Sequence, residues 1–255
     1  MKQEIDRIVN WLDGKLAASV ARGFVVGLSG GIDSAVVARL CQMTRKDQTV
    51  GVLLPCHSDP QDEADARLVA EHFGLPTTHV DLAATYDTFL RDARAAVTPR
   101  LQREHPTPDD IRARLPIANV KPRLRMTALY FVANSLDYLV VGTGNRSEMT
   151  IGYFTKYGDG GVDLLPIAHL VKSQVRAIAR ELGVPARVIE KPPSAGLWMG
   201  QTDEGEMGFT YAELEQYLND GPQSVTPAVA MKIERLARAS DHKRAAAPML
   251  GSDAD

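Results

Sequence analysis

The stretch that most constrains this chain of 255 residues lies at positions 23–35. It begins as a short run of apolar and β-branched residues, which is typical of a buried strand. Gly30 and Gly31 then break the run, and the chain resumes as the first turn of a helix. A glycine turn in front of a helix can hold a phosphate, because its amides approach the anion closely and the helix dipole favours negative charge. The stretch predicts a phosphate cradle built from Ser29, Gly30, Gly31, Asp33 and Ser34.

This cradle differs from the two best-known glycine-rich nucleotide loops. It lacks the lysine of Gly-x-x-x-x-Gly-Lys-Ser/Thr, and its glycines do not have the Gly-x-Gly-x-x-Gly spacing. A plain strand–turn–helix corner with a serine cap is the alternative, since Gly-Gly turns and serine caps are common. Because the whole set of glycines, hydroxyls and the carboxylate falls directly behind an apolar strand, the pattern favours a nucleotide-phosphate loop.

Strand-like and helix-like segments alternate through the first half of the chain. After the first strand, strand-like runs are predicted at 49–54, 78–82 and 137–141. Helices are predicted between them, at 35–43, from Asp59 and Pro60 to Phe73, at 84–96 and at 119–136. This alternation predicts an α/β fold with a doubly wound parallel sheet, in which ligands bind beyond the carboxyl ends of the strands.

The remaining segments complete one predicted domain. A packing helix at 3–20 precedes the first strand, and its buried face is predicted to hold Ile5, Ile8, Val9, Leu12, Leu16 and Val20. The proline-containing stretch 99–115 is interpreted as a surface excursion, because the strand and helix pattern resumes after it. Further helices are predicted at 172–182, 211–218 and 227–239. We expect a single domain at 1–244, followed by a flexible tail at 245–255.

Charge and cysteine content narrow the function classes. The formal net charge of −3 does not suit a general nucleic-acid binder, which normally carries a basic excess. Cys41 and Cys56 show neither metal-ligand spacing nor a disulfide framework, which suits a reducing compartment. No apolar run approaches membrane-spanning length, and the N-terminus has no signal-peptide pattern. We therefore expect a soluble cytoplasmic protein with no nucleic-acid or membrane partner.

Several longer motifs identify a family. The cradle resembles the Ser-Gly-Gly-x-Asp-Ser loop (PP-loop) of the N-type ATP pyrophosphatases, which cleave ATP between the α- and β-phosphates. The segments 119–126 (NVKPRLRM), 142–148 (GTGNRSE) and 152–167 (GYFTKYGDGGVDLLPI), together with Lys172, 191–206 and 242–244, resemble those of the ammonia-dependent NAD synthetases in order and spacing. The resemblance covers about residues 1–244 and implies a Rossmann-like sheet of the adenine-nucleotide-hydrolase type.

The resemblance implies a ligase of NAD biosynthesis. Such an enzyme makes NAD⁺ from deamido-NAD⁺, ATP and ammonia through an adenylated intermediate, and it releases AMP and pyrophosphate. The family also implies a homodimer with the dinucleotide at its interface. The alternatives are another amide-forming ligase or tRNA thiolase of the same superfamily, or an adenine-nucleotide sensor without catalytic activity. Thiolases typically need catalytic cysteines or a basic surface, and a sensor has no need for Asp33, Glu148 and Lys172 together.

The expected metal and ATP sites meet at the strand ends. Asp33 and Glu148 each follow a predicted strand, so both carboxylates can face one crevice, where hard oxygens suit Mg²⁺. Taken alone, Glu148 fits a solvated loop residue better, and it is the pairing with Asp33 that favours a metal ligand. The family implies Mg²⁺ at these two positions and catalytic roles for Asp33, Lys172 and Asp159. The implied ATP-binding residues are Ser29, Gly30, Gly31, Asp33, Ser34, Arg123, Thr143, Lys172 and Ser194.

The expected dinucleotide site draws on three segments. By resemblance, its residues are Asn119, Tyr153, Phe154, Lys156, Asp159, His242 and Lys243. The aromatic residues could stack on a pyridine ring, and Lys156 could meet its carboxylate, although a structured loop would use the same residues. The irregular stretch 191–204 is interpreted as a lid. Glutaminase activity is not expected, because the motifs start too early for an upstream amidohydrolase domain and Cys56 has no evident activating base.

Overall fold

The computed structural model describes residues 1–100, 111–194, 196–198 and 201–250, with the backbone alone described at 111–113. Within these residues, four strands form one sheet in the order β3-β2-β1-β4, and all neighbouring strands are parallel. The strands are β1 (Gly23–Gly27), β2 (Thr49–Leu53), β3 (Thr77–His79) and β4 (Tyr138–Val141). The predicted parallel sheet is confirmed.

Helices connect and cover the strands, in agreement with the predicted alternation. In chain order they are α1 (Lys2–Ala17), α2 (Ile32–Thr44), α3 (Pro60–Phe73), α4 (Ala83–Val97), α5 (Ile111–Ala118), α6 (Val120–Leu136), α7 (Arg146–Ile151), α8 (Lys172–Glu181), α9 (Ala186–Glu190), α10 (Asp203–Met207), α11 (Tyr211–Asp220), α12 (Pro227–Ala239) and α13 (Asp241–Arg244). The start of α3 is as predicted: Asp59 is the N-cap, its carboxylate accepts from the Gln61 amide at 2.8 Å, and Pro60 occupies the first helical position.

Two hydrophobic clusters cover opposite faces of the sheet. Phe24 and Val26 of β1 belong to the cluster that includes residues of α1, α2 and α8, whereas Val25 belongs to the cluster with α4 and α6. Successive side chains of a strand point to opposite faces, so the unbroken apolar run of β1 buries both of them. This is the double winding that the sequence predicted.

A third cluster lies in the C-terminal part of the chain. It joins α7, α10, α11 and α12 through Ile151, Met207, Phe209, Tyr211, Leu214 and Ile233. The sequence analysis predicted helices at 211–218 and 227–239 but did not predict this separate core. The cluster holds α10 and α11 against α7, whose N-terminus lies at the end of β4.

Several predicted boundaries are wrong for local reasons. Val20 is fully exposed rather than buried, because α1 ends at Ala17 and the Ser19 hydroxyl bonds back to the Leu16 carbonyl at 2.8 Å. Asp137 is not part of β4, since it ends α6 in the left-handed conformation at φ 58°. The strand predicted at 78–82 stops at His79, because the Asp81 carboxylate accepts from the amide of Ala83 where α4 begins.

The predicted surface excursion at 99–115 is tested only in part. Residues 101–110 lie outside the described residues, and the backbone from Ile111 onward forms α5, a helix that was not predicted. Pro122 lies in the first turn of α6, where a proline is tolerated because the amide it lacks would have no partner within the helix. No helix of the described residues is long and apolar enough to cross a membrane. The domain at 1–244 and the flexible tail at 245–255 stay predictions, and residues 251–255 lie outside the description.

Candidate active site

A cavity of about 670 Å³ lies at the carboxyl ends of β1, β2 and β4. Its floor includes the glycine turn that joins β1 to α2 and the turn that follows β4. Side chains from α6, α7 and α8 line its walls, together with the loop 152–162 and the described residues of the segment 191–202. Apart from Gly30, every predicted site residue borders this cavity. The position is the one expected for a ligand site in a doubly wound sheet.

The glycine turn is compact and tightly backed. Gly30 has φ +76°, and a Cβ atom placed there would lie 2.2 Å from the backbone oxygen of Asp62 in α3. The Ser34 hydroxyl donates to the Gly31 carbonyl at 2.9 Å and accepts from the Ser29 hydroxyl at 3.1 Å. Gly31 caps α2 and has no side chain to occupy the amides of the first turn. The turn therefore offers backbone N–H groups and hydroxyls at a helix N-terminus, which is a favourable place for an anion.

One lysine joins the two predicted metal ligands. Lys172 begins α8, its side chain is almost completely buried, and its Nζ lies 2.5 Å from Asp33 Oδ2 and 3.4 Å from Glu148 Oε1. Asn145 steadies both carboxylates: its Nδ2 donates to Asp33 Oδ1 at 3.1 Å, and it forms a capping box with Glu148 at the start of α7. The alternative placement of Glu148 on a solvated loop is thereby excluded.

Burial controls the ionisation of this group. Burial raises the pKa of Glu148 to about 8, against the opposing attraction of Lys172. Burial also opposes the charged form of Lys172, but Asp33 and Glu148 outweigh it and raise the pKa of that ammonium. Two carboxylates facing one lysine favour a further cation. Within the described residues no three acidic, histidine or cysteine side chains gather as a metal cluster, so a cation held by Asp33 and Glu148 would need further oxygens from its ligand or from water.

The other predicted ATP residues lie around this centre. Thr143 follows β4, and both it and Arg123 of α6 line the cavity. Arg123 is exposed, and its Nε donates to the Lys156 carbonyl at 3.4 Å. Ser194 is also exposed, in the segment 191–202, and its hydroxyl accepts from the Gly196 amide at 3.1 Å. The structure thus brings these side chains to one cavity. That they bind ATP stays a prediction.

The predicted dinucleotide residues form a connected wall. The Thr155 hydroxyl donates to Asn119 Oδ1, and the Thr155 amide donates to Asp159 Oδ1, both at 2.9 Å. Lys243 of α13 donates to the carbonyls of Gly152 and Phe154 at 2.7 Å each. Lys156 donates to the His242 carbonyl. The basic residues near the C-terminus therefore hold the loop 152–162 in place through its backbone, a role that the sequence analysis did not anticipate.

The sequence analysis missed an acidic group opposite Lys172. Asp203 is buried at the start of α10, and its Oδ2 accepts from the Tyr211 hydroxyl at 2.8 Å. Its other oxygen has no hydrogen-bond partner among the described residues. The Tyr211 ring lies 5.2 Å from Lys172 Nζ, and the Tyr153 hydroxyl donates to Glu206 on α10. Thr202, which caps α10 by accepting from the Gly205 amide, was the available sequence signal for this helix start.

Comparison with known proteins identifies the family of this chain. The sequence profile of a family described as NAD synthase matches residues 4–247. The NH3-dependent NAD⁺ synthetase of Carboxydothermus hydrogenoformans is 47% identical over 95% of this chain and 95% of its own. An NMN synthetase from Francisella tularensis superposes with a TM-score of 0.87 at 36% identity, covering 97% of both chains. An NAD⁺ synthetase from Burkholderia pseudomallei superposes with a TM-score of 0.76 at 32% identity, over 95% of this chain and 89% of that one.

Proposed function

The chain belongs to the NAD synthase family, and from this premise we propose that it is a ligase that makes NAD⁺ from deamido-NAD⁺, ATP and ammonia. The observation that carries the proposal is the position of Lys172, Asp33 and Glu148 beside the glycine turn, at the carboxyl ends of β1 and β4. This arrangement suits cleavage of ATP at its α-phosphate, with the pyrophosphate held in the turn. A nucleotide sensor would not need these three charged side chains in contact.

The first step forms an adenylate. The carboxylate of the nicotinate ring attacks the α-phosphorus, and the bond from that phosphorus to the pyrophosphate oxygen breaks. The amides of the turn, the hydroxyls of Ser29, Ser34 and Ser194, and the Lys172 ammonium stabilise the negative charge that the leaving pyrophosphate gains. Lys172 is held in its charged form by two carboxylates, so it can meet this charge without a proton transfer. Arg123 and Thr143 hold the remainder of ATP.

Asp33 and Glu148 fit Mg²⁺. They present hard oxygen ligands close to two adjacent strand ends, and ATP phosphates and water would supply the remaining ligands. When bound, Mg²⁺ supplies positive charge beside the phosphates. The protein's own contribution is to fix the two carboxylates through Asn145 and to keep Lys172 between them. The raised pKa of Glu148 fits this role, because a carboxylate that is hard to ionise without a cation gains from one.

The second step forms the amide. Ammonia attacks the activated carbonyl carbon, and AMP leaves with the electrons of the bond that breaks. Asn119, Tyr153, Phe154, Lys156, Asp159, His242 and Lys243 form the wall that would hold the dinucleotide for this attack. Asp159 keeps its proposed catalytic role, and its contact with the Thr155 amide fixes its carboxylate at the cavity edge.

Product analysis tests the proposal directly. The purified protein is incubated with ATP, Mg²⁺, ammonium and deamido-NAD⁺, and the phosphorus products are identified by NMR. We expect AMP, pyrophosphate and NAD⁺ in equal amounts. ADP with orthophosphate, or ATP cleavage that does not depend on deamido-NAD⁺, would exclude the mechanism.

A second candidate substrate is the mononucleotide, deamido-NMN. The observation that favours it is the Francisella tularensis NMN synthetase, which superposes with a higher TM-score than the Burkholderia pseudomallei NAD⁺ synthetase, 0.87 against 0.76. The same adenylation and amidation chemistry applies to both substrates, because the nicotinate carboxylate is the reacting group in each. Measuring kcat/KM for deamido-NAD⁺ and for deamido-NMN, under the same ATP and ammonium concentrations, decides between them.

We also propose a homodimer that works in the cytoplasm. Residues 128–133 of helix α6 (ALYFVA) are all apolar and so surround the helix in this stretch, yet only Ala133 among them is fully buried, and Phe131 is 74% exposed. A helix that is apolar all round is normally covered on every side, which supports a second copy on this face. Light scattering should give the mass of a dimer, and Phe131→Asp should reduce it to that of one chain. The free, buried Cys41 and Cys56 suit a reducing compartment.

A further inference from the structure

Lys121 is a buried lysine to which the proposed mechanism gives no task. It lies in the first turn of α6 and is only 6% exposed. Its Nζ donates to the Leu197 carbonyl at 2.9 Å and to the His57 carbonyl at 3.4 Å, and it lies 5.6 Å from the centre of the Tyr86 ring. Lys121 therefore joins α6, α4 and the loop after β2 to the segment 191–202.

The position is unfavourable for a cation. No carboxylate of the described residues forms an ion pair with Lys121; burial lowers the pKa of its ammonium, and the nearby Arg125 lowers it further. The helix dipole adds to the cost, because a positive charge is disfavoured at a helix N-terminus. A methionine would fill similar space without the cost of burying charge. The lysine is thus poorly explained by stability alone.

The carbonyl of His57 is presented to Lys121 by a strained backbone. His57 has φ +50°, a left-handed conformation that is uncommon for residues other than glycine. Its ring Nε2 donates to Asp87 Oδ1 of α4 at 2.8 Å, which fixes the residue in place. Strain of this kind persists where the surroundings hold it, and it is concentrated at functional sites.

We call the segment 191–202 the lid segment; its described residues, 191–194, 196–198 and 201–202, contribute one wall of the cavity. Hydrogen bonds that involve side chains attach these residues to the body of the protein at three places. At its start, Lys191 pairs with Asp62 at 2.7 Å and with the buried Asp65 at 2.6 Å, both on α3. In its middle, the Leu197 carbonyl accepts from Lys121. Near its end, Gln201 donates to Glu206 on α10 at 2.8 Å and accepts from the Leu197 amide at 2.8 Å. Ser194, Leu197 and Trp198 all line the cavity.

We propose that Lys121 is a positioning residue that holds the middle of the lid segment over the cavity and thereby keeps water from the adenylate. The inference rests on the proposed function, because only an adenylate intermediate needs this protection. Lys121 does not border the cavity, so it acts through the lid segment rather than by touching the substrate.

Loss of this contact has a defined chemical consequence. Water attacks the acyl carbon of the adenylate, a carbon–oxygen bond forms, and the bond from that carbon to the phosphate oxygen breaks. AMP leaves with the bonding electrons, the proton of the attacking water goes to solvent, and the nicotinate carboxylate is regenerated. The net reaction is ATP and water to AMP and pyrophosphate, with no amide formed. The ratio of AMP to NAD⁺ formed therefore reports how well the lid segment excludes water.

The test compares Lys121→Met with the wild type. In the wild type we expect close to one AMP per NAD⁺, with only a small fraction of AMP formed without NAD⁺. In Lys121→Met we expect that uncoupled fraction to rise roughly tenfold, because the variant loses one hydrogen bond to a charged group. The thermal midpoint should stay the same or rise, since the variant removes a buried charge. Lys121→Arg, which keeps the donors, should restore the coupling at least in part. Lys15→Met is the matched control: Lys15 lies 5.7 Å from the Trp11 ring centre on α1 and does not border the cavity.

Several outcomes would overturn the proposal. A ratio that stays at one while the thermal midpoint falls would make Lys121 a structural residue. A raised KM for one substrate with the ratio still at one would indicate direct contact with that substrate. Chymotrypsin cleavage within 191–202 gives a measurement that does not depend on activity, and it should be faster in Lys121→Met than in the wild type. Equal cleavage rates would exclude the anchor, even if the wild type formed no NAD⁺ and the proposed function itself failed.

Discussion

Replacing Gly30 with alanine should distinguish a functional phosphate cradle from an ordinary glycine turn. Gly30 has φ +76°, and the new Cβ would lie 2.2 Å from the Asp62 backbone oxygen, whereas ordinary contacts begin at 3.4 Å. Relieving the overlap requires the turn and the first residues of α3 to separate by 1.2 Å, the difference between 3.4 and 2.2 Å. The left-handed backbone costs about 1–2 kcal/mol for alanine, and the overlap adds about 1–3 kcal/mol.

Gly74→Ala is the matched control for this prediction. Gly74 ends α3 at φ +59°, and no atom lies within 4 Å of a Cβ added there. Its substitution therefore costs only the strain of the left-handed backbone. The Gly30 variant should therefore be less stable than the Gly74 variant by about 1–3 kcal/mol, which corresponds to a melting temperature lower by roughly 2–12 °C.

Activity should separate the two variants further. A displacement of about 1 Å in a site that positions reacting groups costs roughly a hundredfold in rate. We therefore expect ATP-dependent NAD⁺ formation to fall about that much in Gly30→Ala and to remain near wild type in Gly74→Ala. Thermal unfolding and steady-state kinetics on both variants provide the measurements. Equal melting temperatures and equal activities would refute the close approach of α3 to the turn.

Three further predictions concern the charged centre and the nitrogen donor. Asp33→Asn should retain the fold and lower the rate of NAD⁺ formation about a hundredfold or more. Near-normal turnover at saturating Mg²⁺ would show that Asp33 has only a structural role in the first turn of its helix. Burial raises the pKa of Glu148 in the folded protein from 4.5 to about 8, so the wild type loses stability as pH rises through that range. In metal-free buffer, the thermal midpoint of Glu148→Gln minus that of the wild type should therefore increase from pH 5 to pH 8. A difference that stays constant would contradict the buried carboxylate. With glutamine in ammonia-free buffer we expect neither glutamate nor NAD⁺, because burial raises the pKa of the Cys56 thiol; formation of both, abolished by Cys56→Ala, would overturn this expectation.

Local sequence patterns were sufficient for the strands, for most of the longer helices and for the position of the glycine turn. Glycines behind an apolar strand demand a tight turn, and Asp59 followed by Pro60 marks a helix start wherever it is placed, because both effects involve only neighbouring residues. The unbroken apolar run of β1 likewise predicted a buried strand, and the structure covers both of its faces. Boundaries such as Ala17 and His79 were missed where a single side-chain hydrogen bond ended or started an element. The family resemblance, rather than local chemistry, supplied the residues of the dinucleotide wall.

Tertiary structure alone decided how these groups meet. Lys172 and Asp33 are 139 positions apart, yet their charged atoms lie 2.5 Å apart because β1 and β4 are adjacent and α8 packs beside α2. Lys121 and Leu197 are 76 positions apart, and nothing in the surrounding sequence relates them. Asp203 and Tyr211 lie on separate helices that face Lys172 only after the C-terminal core has formed. Local propensity acts over one or two helical turns, whereas the burial and the pKa of a side chain depend on every element packed around it. The sequence therefore predicts which chemical groups are available, and the tertiary structure decides which of them are in contact.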